Sequence, residues 1–329
     1  MKYKNLGNTD LKVSEIGLGA MIFGWKSNLK TAKVIVDLSA ERGVNFIDTS
    51  NSYGQGNSEI VLGKILKLST RRSKFIVATK FRIKVEDEYS SHPYDIKNII
   101  TQQCEGSLVR LQTDHIDLYQ IHFPNPEIPF DEILNALDLL KRDGKIRYAG
   151  SCNFDADQCR AAADVSETMG VYPFITEQLP YNLLDRHVEL ELFPAARELG
   201  LGIIARSSLA EGMLTGKYKK DQPIPPNSRY AKVDKPEIYT ARLTDMVFEK
   251  LIQLQKLASQ RQVTMSALSI AWCRNSNFVD TTLIGPSNVD QAVDNLNSCA
   301  IDLNDKDVST IDELVKPGSI ISSFKARLP

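Results

Sequence analysis

Apolar and β-branched residues fall in short runs that alternate with longer stretches of helical spacing along most of the 329 residues. The short runs are Ile16 to Ala20, Asn45 to Asp48, Phe75 to Lys80, Ile116 to Ile121, Arg147 to Ser151, Phe174 to Gln178, Ile203 to Arg206 and Thr281 to Ile284, eight in all. Between them, Ala32 to Arg42 ends at Gly43, Ile96 to Leu111 repeats apolar residues at mostly three and four, and Phe130 to Leu140 is closed by Gly144. These are the marks of helices with one buried face. Strands that read as continuous apolar runs, separated by helices, call for a parallel sheet covered on both sides. Eight such units in this length predict a closed (β/α)8 TIM barrel and a single domain over residues 1–329. The opening YKNLGNTDLKVS has two short extended runs around Gly7, Asn8 and Thr9. It predicts an N-terminal hairpin that plugs one end of the barrel.

Two connections break the rhythm. Arg82 to Tyr94 is polar and acidic, and Ser207 to Thr240 is longer, with Pro223, Pro225 and Pro226 in its middle. Both follow a strand and are expected on the carboxyl-end face, where barrel active sites are built and where long loops carry function. No composition shift marks a second domain.

Charge narrows the partners. Lys and Arg total 40 against 41 Asp and Glu, a net charge of −1, so no single-sign field is available to hold a nucleic acid or an acidic membrane. The longest nearly unbroken apolar stretch, Ile16 to Trp25, is ten residues and too short to span a bilayer. The polar start MKYKNLGNTDLK lacks the apolar core of a secretory signal, so a cytoplasmic location is expected. Five scattered cysteines without a CxxC pair argue against a disulfide framework or a zinc cage. Cys104, Cys159, Cys273 and Cys299 are expected to be packing residues.

Candidate chemistry gathers at strand ends. Asp48 and Tyr53 follow the second predicted strand, Lys80 ends the third and His122 ends the fourth, so a barrel would bring all four to one mouth. A Tyr hydroxyl, ordinarily near pKa 10, is expected to be lowered by the Lys80 ammonium, with Asp48 holding the lysine and His122 orienting a substrate oxygen. The set suits protonation of a carbonyl oxygen as charge develops on it, and it needs a cofactor to bring reducing equivalents.

The segment GVNFIDTSNSYGQGNSEIVLGKIL, Gly43 to Leu66, closely resembles the aldo-keto reductase signature. VATKF around Lys80, DHIDLYQIHFP leading to His122, GKIRYAGSCNF and EQLPYNLLDR are similar to further blocks of that family in order. The resemblance implies a barrel that binds NADPH across its carboxyl-end mouth and passes hydride to an aldehyde or ketone, with Tyr53 as general acid. It places Asn153 and Gln178 at the nicotinamide carboxamide, beside Cys152 where the family usually has Ser. Arg206 stands where many members stack an aromatic ring. SSLAEGMLTGKY is similar to the pyrophosphate-covering loop and implicates Ser207, Leu209, Ala210, Gly212 and Lys217, with Arg229 as a phosphate contact. LIGPSNVDQAVDN resembles the adenosine-phosphate block, placing Gly285, Ser287, Gln291, Asp294 and Asn295 at the cofactor. Several members carry Arg or Lys in that block and this chain has none, which leaves NADH use open.

GLGAMIFG, from Gly17 to Gly24, looks like a distorted GxGxxG, but its third glycine is misplaced and no acidic ribose partner follows. It reads instead as tight turns at the barrel mouth. In the family, Gly19, Ala20 and Met21 approach the cofactor by backbone. The expected partner is a small carbonyl compound, with charged and aromatic loop residues (Lys84, Glu86, Asp87, Glu88, Tyr89, Phe123, Tyr230) suited to a sugar derivative. Monomer and homo-oligomer both stay open. Two other readings remain: an aldolase or lyase using Lys80 as a Schiff base, and a non-catalytic regulatory subunit. The latter rests on the similarity of the Ser287 to Asn295 block to channel-associated β subunits of the family.

Overall fold

The computed structural model describes residues 1–67, 72–83, 95–226, 228–231 and 242–321. Ten strands are defined within them. A two-stranded antiparallel hairpin, β1 (Tyr3–Asn5) and β2 (Lys12–Ser14), precedes the eight strands of a closed barrel. These are β3 (Ile16–Gly19), β4 (Phe46–Asp48), β5 (Ile76–Phe81), β6 (Ile116–Ile121), β7 (Ile146–Cys152), β8 (Phe174–Pro180), β9 (Gly202–Arg206) and β10 (Val279–Ile284). All neighbours run parallel, and β10 closes the ring on β3, with Thr282 opposite Ile16. The protein is a (β/α)8 TIM barrel, and all eight expected strands are present.

Helices cover the outside: α1 (Leu29–Glu41), α2 (Asn57–Lys67), α3 (Ile96–Leu111), α4 (Phe130–Arg142), α5 (Ala156–Met169), α6 (Leu192–Leu199), α7 (Asp245–Gln260), α8 (Met265–Asn275), α9 (Val289–Asn297) and α10 (Asp305–Leu314). Local chemistry sets their starts. Asn28 accepts from Thr31 N at 2.9 Å, and Asp155 forms a reciprocal capping box with Gln158. The three helices expected from periodicity end close to their predicted stops, with Gly43 and Gly144 at positive φ just beyond α1 and α4. The main core lies between barrel and helices. A second cluster of Leu6, Val13, Phe46, Ala78, Leu118, Ile204 and Leu283 fills the barrel's lower interior. Leu6 and Val13 come from the hairpin, which therefore stoppers the amino end as expected.

The stopper is pinned through its turn. Gly7 N donates to Asp280 Oδ2 at 3.0 Å and Asn8 N to Gly200 O at 3.0 Å. A β-carbon at Gly7 would lie 2.6 Å from Gly202 N and 2.7 Å from Gly200 O, both rigid backbone. Of the two long loops, 84–94 lies outside the described residues, including Lys84, Glu86, Asp87, Glu88 and Tyr89. So do 227 and 232–241 of the loop after β9, whose first part forms a short 3-10 stretch at Ala210–Thr215.

Gly7 and Gly170 share a left-handed φ, +56° and +64°, but nothing lies within 4 Å of a β-carbon at Gly170. Alanine at Gly170 should therefore cost about 1 kcal/mol of backbone strain, whereas Gly7→Ala should cost about 2 kcal/mol or more beyond that. Urea midpoints of the two variants measure the difference.

Candidate active site

The carboxyl ends of β4, β5, β6 and β8 bring their polar residues to one point. Lys80, on β5, is fully buried, and its Nζ donates to Asp48 Oδ1 at 2.5 Å and to Thr49 O at 3.0 Å. A third donor–acceptor contact, 3.3 Å, reaches Tyr53 Oη. The other Asp48 oxygen accepts from Gln178 Nε2 at 2.8 Å and Gln120 Nε2 at 3.2 Å. Register explains the convergence: Asp48 pairs with Ala78, and Lys80 with Gln120. Tyr53, in the turn between β4 and α2, keeps part of its surface exposed while its hydroxyl meets a wholly buried ammonium. The rings of Tyr53 and His122 meet edge-on with centroids 5.7 Å apart. The structure thus unites Asp48, Tyr53, Lys80 and His122.

Electrostatics correct one expectation. Tyr53 is raised above its ordinary pKa because burial penalises phenolate more than Lys80 favours it, and Asp48 adds to the rise. The phenol therefore stays protonated through neutral and mildly alkaline pH. Burial pulls the Lys80 pKa down, but the Asp48 carboxylate, with Tyr53 behind it, outweighs this and holds the ammonium above its usual range. His122 is pushed down to about 2 by burial and by the charges of Lys80, Arg206 and Arg82, so its imidazole is neutral. Its Nδ1 faces Ser50 Oγ at 3.3 Å and Ser52 Oγ at 3.5 Å. A neutral ring held on one nitrogen by hydroxyls leaves the other to meet a substrate oxygen.

The family model for the Aldo/keto reductase family matches residues 15–316. The chain belongs to that family. It is 36% identical over 330 residues, 97% of each chain, to an uncharacterized oxidoreductase, YrpG, of Bacillus subtilis. It is also 33% identical to a probable voltage-gated potassium channel subunit beta of Oryza sativa subsp. japonica and 32% identical to one of Arabidopsis thaliana, each over 90% of both chains.

The residues that the aldo/keto reductase resemblance assigns to a cofactor lie at or after the carboxyl ends of β3, β4, β7, β8, β9 and β10. Gln178 is fully buried, and while its amide nitrogen is held by Asp48, its Oε1 has no hydrogen-bond partner. An orphaned acceptor there matches the amide donor of a nicotinamide. Asn153, at φ +66°, donates to His122 O at 2.8 Å and to Cys152 Sγ at 3.2 Å, and accepts from Arg206 Nη2. Burial pushes the Cys152 thiol up to about 12, so it is present as neutral SH. On the mouth's β3 side, Ala20 N donates to Asp48 O at 2.8 Å, and the backbone turns at Met21 with Gly19 below it.

After β9 the backbone twists through positive φ at Ser207, Ala210, Glu211 and Gly212, with Leu209 between them. A β-carbon at Gly212 would lie 3.0 Å from Lys217 Nζ, so the ammonium packs over this turn. Lys217 is lowered by burial and then by the neighbouring Arg229, two cations gathered where a pyrophosphate would neutralise both. At the α9 start, Ser287 N and Oγ reach Gln291 Oε1 at 2.9 and 3.0 Å, just after Gly285. Asp294 accepts from Thr264 Oγ1 at 2.8 Å, and Asn295 is buried.

Several participants escaped sequence reasoning. Gln120 was hidden inside an apolar strand, although it lies two positions before His122 on the same strand face. Ser50 and Ser52 carried no signal of their own. Glu177 is fully buried, with Oε1 accepting Phe154 N at 3.0 Å and Oε2 unpartnered, and burial pushes its carboxyl up to about 8.

Glu177 couples stability to pH. Between roughly 4.5 and 8 the folded chain keeps its proton while the unfolded chain releases it, so this group's contribution to stability falls as pH rises through the window. Glu177→Gln should remove that slope. Thermal melts should show the variant gaining on the parent at pH 8.5 and losing that advantage at pH 5; parallel curves would contradict the assignment.

Proposed function

We propose that the protein reduces an aldehyde or ketone to an alcohol using NADPH, with NADH as the alternative donor. The observation that carries this reading is the buried Lys80 ammonium, shared between Asp48 Oδ1 and Tyr53 Oη, facing a neutral His122. The bound cofactor supplies hydride. Tyr53 supplies the proton to the carbonyl oxygen, and Lys80 stabilises the phenolate left behind. Asp48 keeps Lys80 charged and aimed, and Gln120 and Gln178 fix Asp48 in turn. His122 binds the same substrate oxygen and orients it. Gln178 and Asn153 would hold the nicotinamide amide, the Ser207–Gly212 turn with Lys217 and Arg229 the pyrophosphate, and Ser287 and Gln291 the adenosine end.

The buried ion pair also weighs against Schiff-base chemistry at Lys80, because an amine kept protonated by Asp48 is no nucleophile. Similarity to proteins named as probable channel β subunits favours one second reading, a cofactor-binding regulatory subunit. Turnover separates the two. For the substrate we propose a polar carbonyl compound of the sugar-derivative kind, on the mix of charged and aromatic residues that the sequence carries in its long connections after strands.

Tyr53→Phe should lower turnover of a reactive aldehyde by on the order of 10²–10⁴-fold. Calorimetric binding of NADPH should persist in the same variant. Turnover near the parent's would sink the reductase reading, and a parent that binds NADPH tightly yet reduces no member of a panel of aromatic aldehydes and keto-sugars would favour the regulatory subunit.

A further inference from the structure

The charges at the mouth do not balance. Lys80 and Asp48 cancel as a buried pair, His122 is neutral, and Tyr53 and Cys152 keep their protons. Two guanidinium groups are left over: Arg82, over the Phe123 ring beside His122, and Arg206. Arg206 ends β9 half-buried, with Nη2 on Asn153 Oδ1 and Nη1 3.5 Å from Ser207 Oγ. Among the described residues no carboxylate lies within ion-pairing distance of it. Asn153 reaches His122 O through its other amide atom, so two hydrogen bonds link the guanidinium to the backbone that carries His122. The field of Arg206 is felt across the site: it depresses His122 and pulls down on Tyr53, Cys152 and Glu177.

We propose that Arg206 makes the site discriminate between the redox states of its cofactor, holding the reduced nucleotide more tightly than the oxidised one. This rests on the cofactor reading above. A nicotinamide that delivers hydride to a carbonyl held by Tyr53 and His122 must share their cavity with Arg206. The reduced ring is neutral and the oxidised ring carries one positive charge, so only the oxidised form is repelled. At an effective dielectric constant of about 20, two like charges lose at least about tenfold in an equilibrium constant at separations up to about 12 Å. Lys217 and Arg229 act on phosphates that both redox states share, so their contribution cancels in the ratio. The consequence for turnover is an oxidised cofactor that leaves readily after each hydride transfer, and product release is the slow step of many enzymes.

Calorimetric titration with NADPH and with NADP+, without carbonyl substrate, tests this. The parent should bind NADPH at least tenfold more tightly than NADP+. Arg206→Gln keeps a hydrogen-bond donor for Asn153 but loses the charge, and should shrink that ratio at least fivefold. Arg206→Lys keeps the charge and should stay within twofold of the parent. A parent ratio near one, or a ratio that survives in Arg206→Gln, overturns the role of Arg206 while leaving the cofactor assignment standing. If neither nucleotide binds the parent, both fall together.

Discussion

A lysine ammonium held fully inside a barrel is an expensive object, and the arrangement of the mouth follows from making it tolerable. Taking a charge out of water costs several kcal/mol unless a partner and hydrogen bonds replace the lost solvent. Asp48 supplies the opposite charge, Thr49 O a second acceptor and Tyr53 Oη the third contact. Asp48 needs support in its turn, which comes from the amides of Gln120 and Gln178. With Lys80 itself, these six residues come from four barrel strands and the segment that follows β4. Loss of either ion would leave the other buried and uncompensated, at a cost of about 3–5 kcal/mol. Closure of the sheet is what holds the donors and acceptors in register.

The same rule recurs below and around the mouth. Glu59 on α2 is fully buried and takes Thr79 Oγ1 at 2.6 Å and Arg110 Nε at 2.6 Å, tying α2 to β5 and α3. Asp117 on β6 receives Arg72 at 2.7 Å and Arg147 at 3.1 Å. Arg274 on α8 reaches Glu15 at 3.0 Å, joining the last helices to the entry of the first barrel strand. A groove of about 900 Å³ at the amino-end face is lined by Asp10, Lys12, Asp114, His115, Lys141 and Tyr148. Polar groups there are already paired by hydrogen bonds, His115 with Asp114 and Tyr148 with Asp10. At the mouth, Arg206 has no carboxylate match among the described residues, only hydrogen bonds to Asn153 and Ser207.

The barrel was legible because parallel strands buried on both faces leave a sequence signal that little else produces: short apolar runs at regular intervals. The four catalytic candidates were legible because polar residues at the ends of such runs have one place to go. What escaped depended on sums that spacing does not contain. Tyr53 has a lysine beside it, which suggested a lowered pKa; only the depth of the site shows that burial outweighs the ammonium. Gln120 and Glu177 sit inside strands and resemble ordinary interior positions until their partners across the sheet are seen. Cys152 was visible as a departure from the usual serine, but its neutrality follows from complete burial.

Closure of β10 onto β3 has a consequence for how the protein comes into being. Thr282 must find Ile16, so the ring stays open until the chain has been made through β10. Through most of synthesis β3 and the newest strand are bare sheet edges, the kind of surface that pairs with other chains. Contacts this distant in sequence also form slowly. The nascent chain therefore spends its vulnerable interval as an open, curling sheet, and insertion of the eighth barrel strand removes both edges in one step.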